Sequence, residues 1–172
     1  MRAPVLLLAL LLGACSGDRT SQAVPGLPVP GGVQDATVVR GVDGDTLVLR
    51  GRGSGPLLPS STKVRVLLVD TPEVFGDPEC FGEQAAERAA QLLPDGASVK
   101  VLADRDRLDR FDRTLLHVWT GDGVNVGEAL VREGFASVLV VPPNRLYETE
   151  FRAAEQEARR AGRGLWAACQ QR

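Results

Sequence analysis

Arg65-Val66-Leu67-Leu68-Val69-Asp70-Thr71-Pro72-Glu73 joins a Val/Leu-rich run to two acids flanking a Thr-Pro pair, and upstream of it lies a second acidic segment, Asp43-Gly44-Asp45-Thr46. Lys63 to Val69 has the composition of a strand. Alternation would place Arg65, Leu67 and Val69 on one face and Val64, Val66 and Leu68 on the other. An arginine among such neighbours needs a reason. Working outward, Thr37 to Val42 and Thr46 to Arg50 read as strands around a tight Asp43-Gly44 turn, with Asp45, Leu47 and Leu49 sharing a face. Ser98 to Ala103 and Thr114 to Thr120 are two more strands, and the second aligns Arg113, Leu115, His117 and Trp119. Helical patterns occupy Gly82 to Leu93, Asn125 to Glu133 and Tyr147 to Ala161, with Asn125 a cap and Gly134 a stop for the second. The strands with one helix after the third and two at the end predict an α+β domain, mostly β. The expected architecture is a five-stranded Greek-key barrel of OB type with three helices.

The chain has 172 residues, 44% hydrophobic and 24% charged, enough for one well-buried core. Its 20 Lys+Arg against 22 Asp+Glu, net -2, give no excess positive charge for non-specific hold on a polyanion, so any nucleic-acid role must rest on a local site. A single histidine, His117, excludes paired-imidazole acid/base chemistry and a His-rich zinc site. It and Trp119 read as packing or rim residues, and Glu155, Arg159 and Arg160 as an ordinary charged helix face.

Met1 and Arg2 precede the apolar run Val5 to Leu12, and Leu12-Gly13-Ala14-Cys15 follows; this reads as an export signal, too short to span a bilayer. The ending resembles a bacterial lipoprotein signal. Residues 1–14 would be removed and Cys15 lipidated, holding the chain to a membrane on its extracytoplasmic side; ordinary secretory cleavage is the alternative. Loss of Arg2 leaves 19 basic against 22 acidic residues, net -3. Residues 15–35, rich in Pro and Gly, are expected to be a flexible linker, followed by a domain over 36–169 and a tail at 170–172. In an exported chain Cys80 and Cys169 suggest a disulfide; two free thiols in a reducing compartment are the other possibility.

Taken together, Asp43-Gly44-Asp45-Thr46, Arg65 to Glu73, Asp109-Arg110-Phe111-Asp112-Arg113, Asn125 to Glu133, Pro142-Pro143-Asn144 and Gly164-Leu165-Trp166 resemble the staphylococcal nuclease (thermonuclease) family. The likeness spans residues 36 to 167. It implies an OB-fold barrel and Ca²⁺-dependent hydrolysis of DNA and RNA to products with 3′-phosphate ends, in a chain expected to be a monomer. Asp45 and Asp70 suit Ca²⁺ as hard carboxylate ligands, and the resemblance adds the backbone carbonyl at Thr71. Glu73 matches the family's general base. Arg65 and Arg113 match the arginines that flank the phosphate, where a planar guanidinium donates two hydrogen bonds at once. Arg110 and Phe111 fall at substrate-binding positions.

Four departures bear on that expectation. Phe111 stands where the staphylococcal enzyme has a tyrosine, and it cannot donate a hydrogen bond to phosphate. Val140 and Val141 replace tyrosines of the base pocket. Asp112 replaces a glycine and so is expected in a left-handed backbone. The mature charge of -3 contrasts with the strongly basic staphylococcal enzyme. They motivate a second reading, a catalytically weak or inactive OB-fold nucleic-acid-binding lipoprotein, and a third, a calcium-stabilised structural lipoprotein. The complete set Asp45, Asp70, Glu73, Arg65 and Arg113 speaks against both.

Overall fold

The computed structural model describes residues 26–169. The expected signal at 1–14, the lipidation site Cys15, residues 16–25 of the linker and the tail at 170–172 lie outside the described residues. Among those described, the order is β1 (Gln34–Gly41), β2 (Thr46–Arg52), β3 (Ser61–Val66), β4 (Val69–Asp70), α1 (Gly82–Leu92), β5 (Ser98–Leu102), β6 (Thr114–Thr120), α2 (Val126–Glu133), β7 (Ser137–Val138), α3 (Glu148–Arg160) and α4 (Leu165–Ala168).

Five strands close a barrel in the order β1-β2-β3-β6-β5, with β5 pairing back onto β1. Neighbours are antiparallel except β3 and β6, which run parallel with Arg65 opposite Leu115. The fold class is as expected from the sequence, an OB-type barrel with helices. Inside it Leu49, Val64, Val101, Leu116 and Val118 are fully buried. Truncating Leu49 or Leu116 to alanine is expected to cost about 2–5 kcal/mol. β6 is buried along almost its whole length because both its faces are covered. His117 and Trp119 pack edge-on against Tyr147 at the start of α3, and His117 also lies against Phe151. Both are packing residues.

The helix punctuation follows the sequence at α2, where Asn125 accepts from the Glu128 N–H at 2.9 Å and Gly134 ends the helix at φ 81°. Two expectations are corrected. The third strand does not run to Val69. It stops at Val66, the chain turns through Leu68 at φ 65°, and Val66 to Val69 are all buried, so face alternation ends there. The cause is a change of partner: β4 leaves the barrel to pair with β7, Val69 opposite Val138 and Asp70 opposite Ser137. The domain also begins before Ala36. Gln34 and Asp35 belong to β1, and the Gln34 amide bridges both polar groups of Leu57. Further back, the Leu27 carbonyl accepts from Trp119 Nε1 at 3.1 Å and its side chain packs on the core. The described end of the linker is therefore docked, because a buried indole N–H needs an acceptor.

Candidate active site

The turn between β1 and β2 is organised by Asp43, whose Oδ1 accepts from the N–H groups of Asp45 (3.1 Å) and Thr46 (2.6 Å). This side-chain turn leaves Gly44 with negative φ. Its glycine character serves close approach instead, since a Cβ there would lie 2.7 Å from the Thr71 side chain. Asp45 is thereby pressed against the strand exit that carries Asp70 and Thr71.

Arg65 binds the two acids together. Its Nη1 donates to Asp45 Oδ2 at 2.6 Å, and its Nη2 donates to Asp70 Oδ1 at 3.0 Å and to the Val69 carbonyl at 3.1 Å. The turn at Leu68 makes this possible by swinging Asp70 back beside the strand it has just left. Asp45 also accepts from the Thr46 hydroxyl at 2.9 Å and, more distantly, from the Thr71 N–H at 3.5 Å. Burial pushes the Asp45 carboxyl above its ordinary range although Arg65 pulls the other way. A buried acid whose charge one guanidinium does not fully offset is a place where further positive charge is favourable.

Arg113, at the entrance to β6, is held by Asp109. Its Nε donates to Asp109 Oδ2 at 2.7 Å, its backbone N–H to Asp109 Oδ1 at 2.9 Å, and its Nη1 reaches the Thr46 hydroxyl at 3.3 Å. Burial pulls the Asp109 carboxyl upward, but the hydrogen bonds from Arg113 and the Phe111 N–H outweigh it and hold it below the usual range. Asp112 sits at φ 59°, the left-handed backbone expected of it. Phe111, 63% exposed, lies under Arg110 and Arg113, whose guanidinium carbons are 4.6 and 5.5 Å from its ring centre.

Arg65, Asp70, Glu73, Arg110, Phe111 and Arg113 line one cleft of about 840 Å³, which Leu139, Val141 and Pro142 also line. Asp45 stands behind Arg65 with only 7% of its side chain exposed. The structure thus brings together the residues expected to act on a phosphate and to hold a metal. Val140 is not part of the cleft lining, whereas Val141 is. Cys80, in the loop that follows Glu73, is joined to Cys169 as a disulfide with Cα atoms 5.9 Å apart.

Among the described residues no three His, Cys, Asp or Glu side chains gather as a metal cluster. Two carboxylates meeting on one guanidinium, beside the Thr71 backbone, do not fit a closed nitrogen- or sulfur-ligated centre. They fit a hard cation that takes few protein oxygens and fills its remaining positions from water or substrate. Three residues escaped sequence reading. Asp109 looks like one more charge in an Asp/Arg-rich loop, yet it aims Arg113. Thr46 links the two halves of the site through one hydroxyl. Glu79 grips the backbone of Glu73, and only the distance of six residues between two loop acids could have hinted at it.

The profile of the family described as "Staphylococcal nuclease homologue" matches residues 63–168. The chain is 36% identical over 136 residues to the SPbeta prophage-derived endonuclease YokF of Bacillus subtilis, covering 77% of this chain and 44% of that protein. It is equally similar, 36% over 136 residues, to endonuclease YncB of the same organism, covering 77% and 61%. Against a thermonuclease of Staphylococcus intermedius the identity is 32% over 133 residues, covering 75% of this chain and 74% of that one. The chain thus spans about half the length of the two Bacillus relatives.

Proposed function

Since the chain belongs to the staphylococcal nuclease homologue family, we propose that it is a Ca²⁺-dependent phosphodiesterase that hydrolyses DNA and RNA to products with 3′-phosphate ends. The observation that carries this reading is the convergence of Asp45 and Asp70 on Arg65 at a cleft shared with Glu73 and Arg113.

Asp45, Asp70 and the Thr71 carbonyl would hold Ca²⁺, which when bound polarises a phosphoryl oxygen and offsets developing negative charge. The protein's own groups supply the rest. Arg65 spends three of its N–H donors on Asp45, Asp70 and the Val69 carbonyl, so two of its five remain for a phosphate. Arg113 has its Nε fixed by Asp109 and keeps the Nη2 side of its fork for the same phosphate. Two guanidinium groups fixed in advance meet the charge of the transition state without reorganising. Glu73 takes the proton from an attacking water as its oxygen bonds to phosphorus. The bond from phosphorus to the 5′-oxygen breaks, the departing oxygen takes a proton from solvent water, and the phosphate stays on the 3′ side.

The altered cleft bears on affinity. Phe111 organises two arginines through its ring but offers no hydroxyl to phosphate. With net charge -3 after signal removal, substrate hold depends on local arginines and weakens steeply with salt. The signal and Cys15 support export and a lipid anchor on the outer side of a bacterial membrane.

The test is cleavage of denatured DNA and of RNA by the chain from Ser16 to Arg172 with Ca²⁺, with Mg²⁺ and with chelator, followed by end-group analysis. Calcium-dependent cutting that leaves 3′-phosphates is the expected result. A folded chain that binds Ca²⁺ and nucleic acid without cutting would instead be the binding module.

A further inference from the structure

We propose that Glu79 is a positioning residue for Glu73, and that the Cys80–Cys169 disulfide holds Glu79 in place; the proposal rests on reading Glu73 as the proton acceptor. Glu73 lies in the loop between β4 and α1, exposed and outside any strand or helix. A carboxylate in such a loop is free to sample many positions unless its backbone is fixed, and misplacement of a reacting group by about 1 Å can cost some 10²-fold in rate.

Its backbone is gripped on both sides by one residue. The Glu73 N–H donates to Glu79 Oε2 at 3.0 Å, and the Glu79 N–H donates back to the Glu73 carbonyl at 2.9 Å. The start of α1 closes against the same point. A Cβ at Gly82 would stand 2.5 Å from the Glu73 carbonyl oxygen, so only glycine lets the helix approach this closely. The Gly82 N–H in turn donates to the Glu79 carbonyl at 3.2 Å.

The next residue, Cys80, is bonded to Cys169, which is 89 positions away and follows α4. That end of the chain is itself fixed: the Leu165 N–H donates to the Gly134 carbonyl at 2.9 Å, and the Arg159 guanidinium lies 3.8 Å above the Trp166 ring centre. The disulfide therefore ties Glu79 to the α2–α3 side of the molecule. A staple needed only for stability could close anywhere on the surface, whereas this one closes beside the residue that clamps Glu73.

The experiment compares Glu79→Ala, Glu79→Gln and the paired Cys80→Ser/Cys169→Ser variant in the full chain from Ser16, each also in a Glu73→Gln background, with Ca²⁺ and denatured DNA well below the melting temperature. Glu79→Ala is expected to lower kcat about tenfold with KM within about twofold. Glu79→Gln, whose amide oxygen can accept the same hydrogen bond, should restore most of it. The serine pair should lower kcat in the same direction. In the Glu73→Gln background none of these changes should reduce the residual rate further. Hydrogen exchange at the Glu73 amide should quicken in Glu79→Ala and not in Glu79→Gln. An unchanged kcat in Glu79→Ala, a loss confined to KM, or an equal further loss in the Glu73→Gln background overturns the proposal while leaving Glu73 as the base. Full activity in Glu73→Gln alone removes the reading beneath it.

Discussion

Asp45 and His117 are both polar groups buried within the same small barrel, 5% and 1% exposed, but the surroundings of the two differ completely. Asp45 has Arg65, the Thr46 hydroxyl and the Thr71 N–H directed at it, and its neighbours open onto a cleft. His117 has neither ring nitrogen bonded and sits among Trp119, Tyr147 and Phe151. The first is an electrostatic arrangement with room for a ligand; the second is packing that tolerates a polar ring. Burial of a titratable group alone therefore says little about chemistry. What distinguishes a site is a set of opposed charges fixed by one another at the edge of a cavity.

The largest expected break comes from the cleft. Arg113→Ala should lower kcat/KM by roughly 10²–10³-fold while the thermal melt stays close to that of the unaltered chain. An activity loss matched by a collapsed melt would make Arg113 a structural residue. On the other side of the comparison, burial holds the His117 imidazole down to about 4 from 6.5, with Asp104 acting in the opposite direction. Its contribution to stability is complete above pH 6.5. It is lost as pH falls toward about 4, because the unfolded chain takes up a proton that the native one refuses. That difference corresponds to about 3 kcal/mol. Denaturant unfolding across this range should show His117→Leu lacking this part of the acid slope; parallel curves for the two proteins would put the sensitivity in other groups.

Gly44→Ala sharpens the comparison from the backbone. Its methyl would meet Thr71 at 2.7 Å. The expected cost is about 1–3 kcal/mol in stability, together with weaker Ca²⁺ binding by calorimetry. Unaltered binding would mean that the Thr71 segment can move without disturbing the ligands. The smallest effect is expected at Phe111→Tyr. A hydroxyl at the cleft rim should lower KM by about threefold, in line with one additional net hydrogen bond, and leave kcat alone. An unchanged KM would show that phosphate does not pass over this ring.

Much of this was legible beforehand for physical reasons. The barrel strands alternate because one face of each meets a core, and α2 is punctuated by residues whose side chain or backbone freedom does that work. The acids and arginines were legible as a set through the resemblance of their motifs, in order and spacing, to the staphylococcal nuclease family. The run Val66 to Val69 was misread, since continuous apolar sequence looks the same in a strand and in a buried turn. The docking of the linker around Leu27 was not legible either. Its Pro/Gly composition describes the local chain, whereas its docking depends on Trp119, far away in sequence, lacking another acceptor.

By itself, the sequence determined the strands, the helices and the residue types that carry the chemistry, because these follow from local periodicity and residue type, while the OB-type barrel and the grouping of those residues in one site are what its resemblance to the staphylococcal nuclease family implies. Only the tertiary structure decided that Arg65 binds Asp45 and Asp70 together, that Asp109 aims Arg113, and that Glu79 holds Glu73. Each of those relations depends on where a chain turns and which distant backbone it meets. Such geometry is set by the closing of the barrel and the packing around it, and no stretch of sequence contains it.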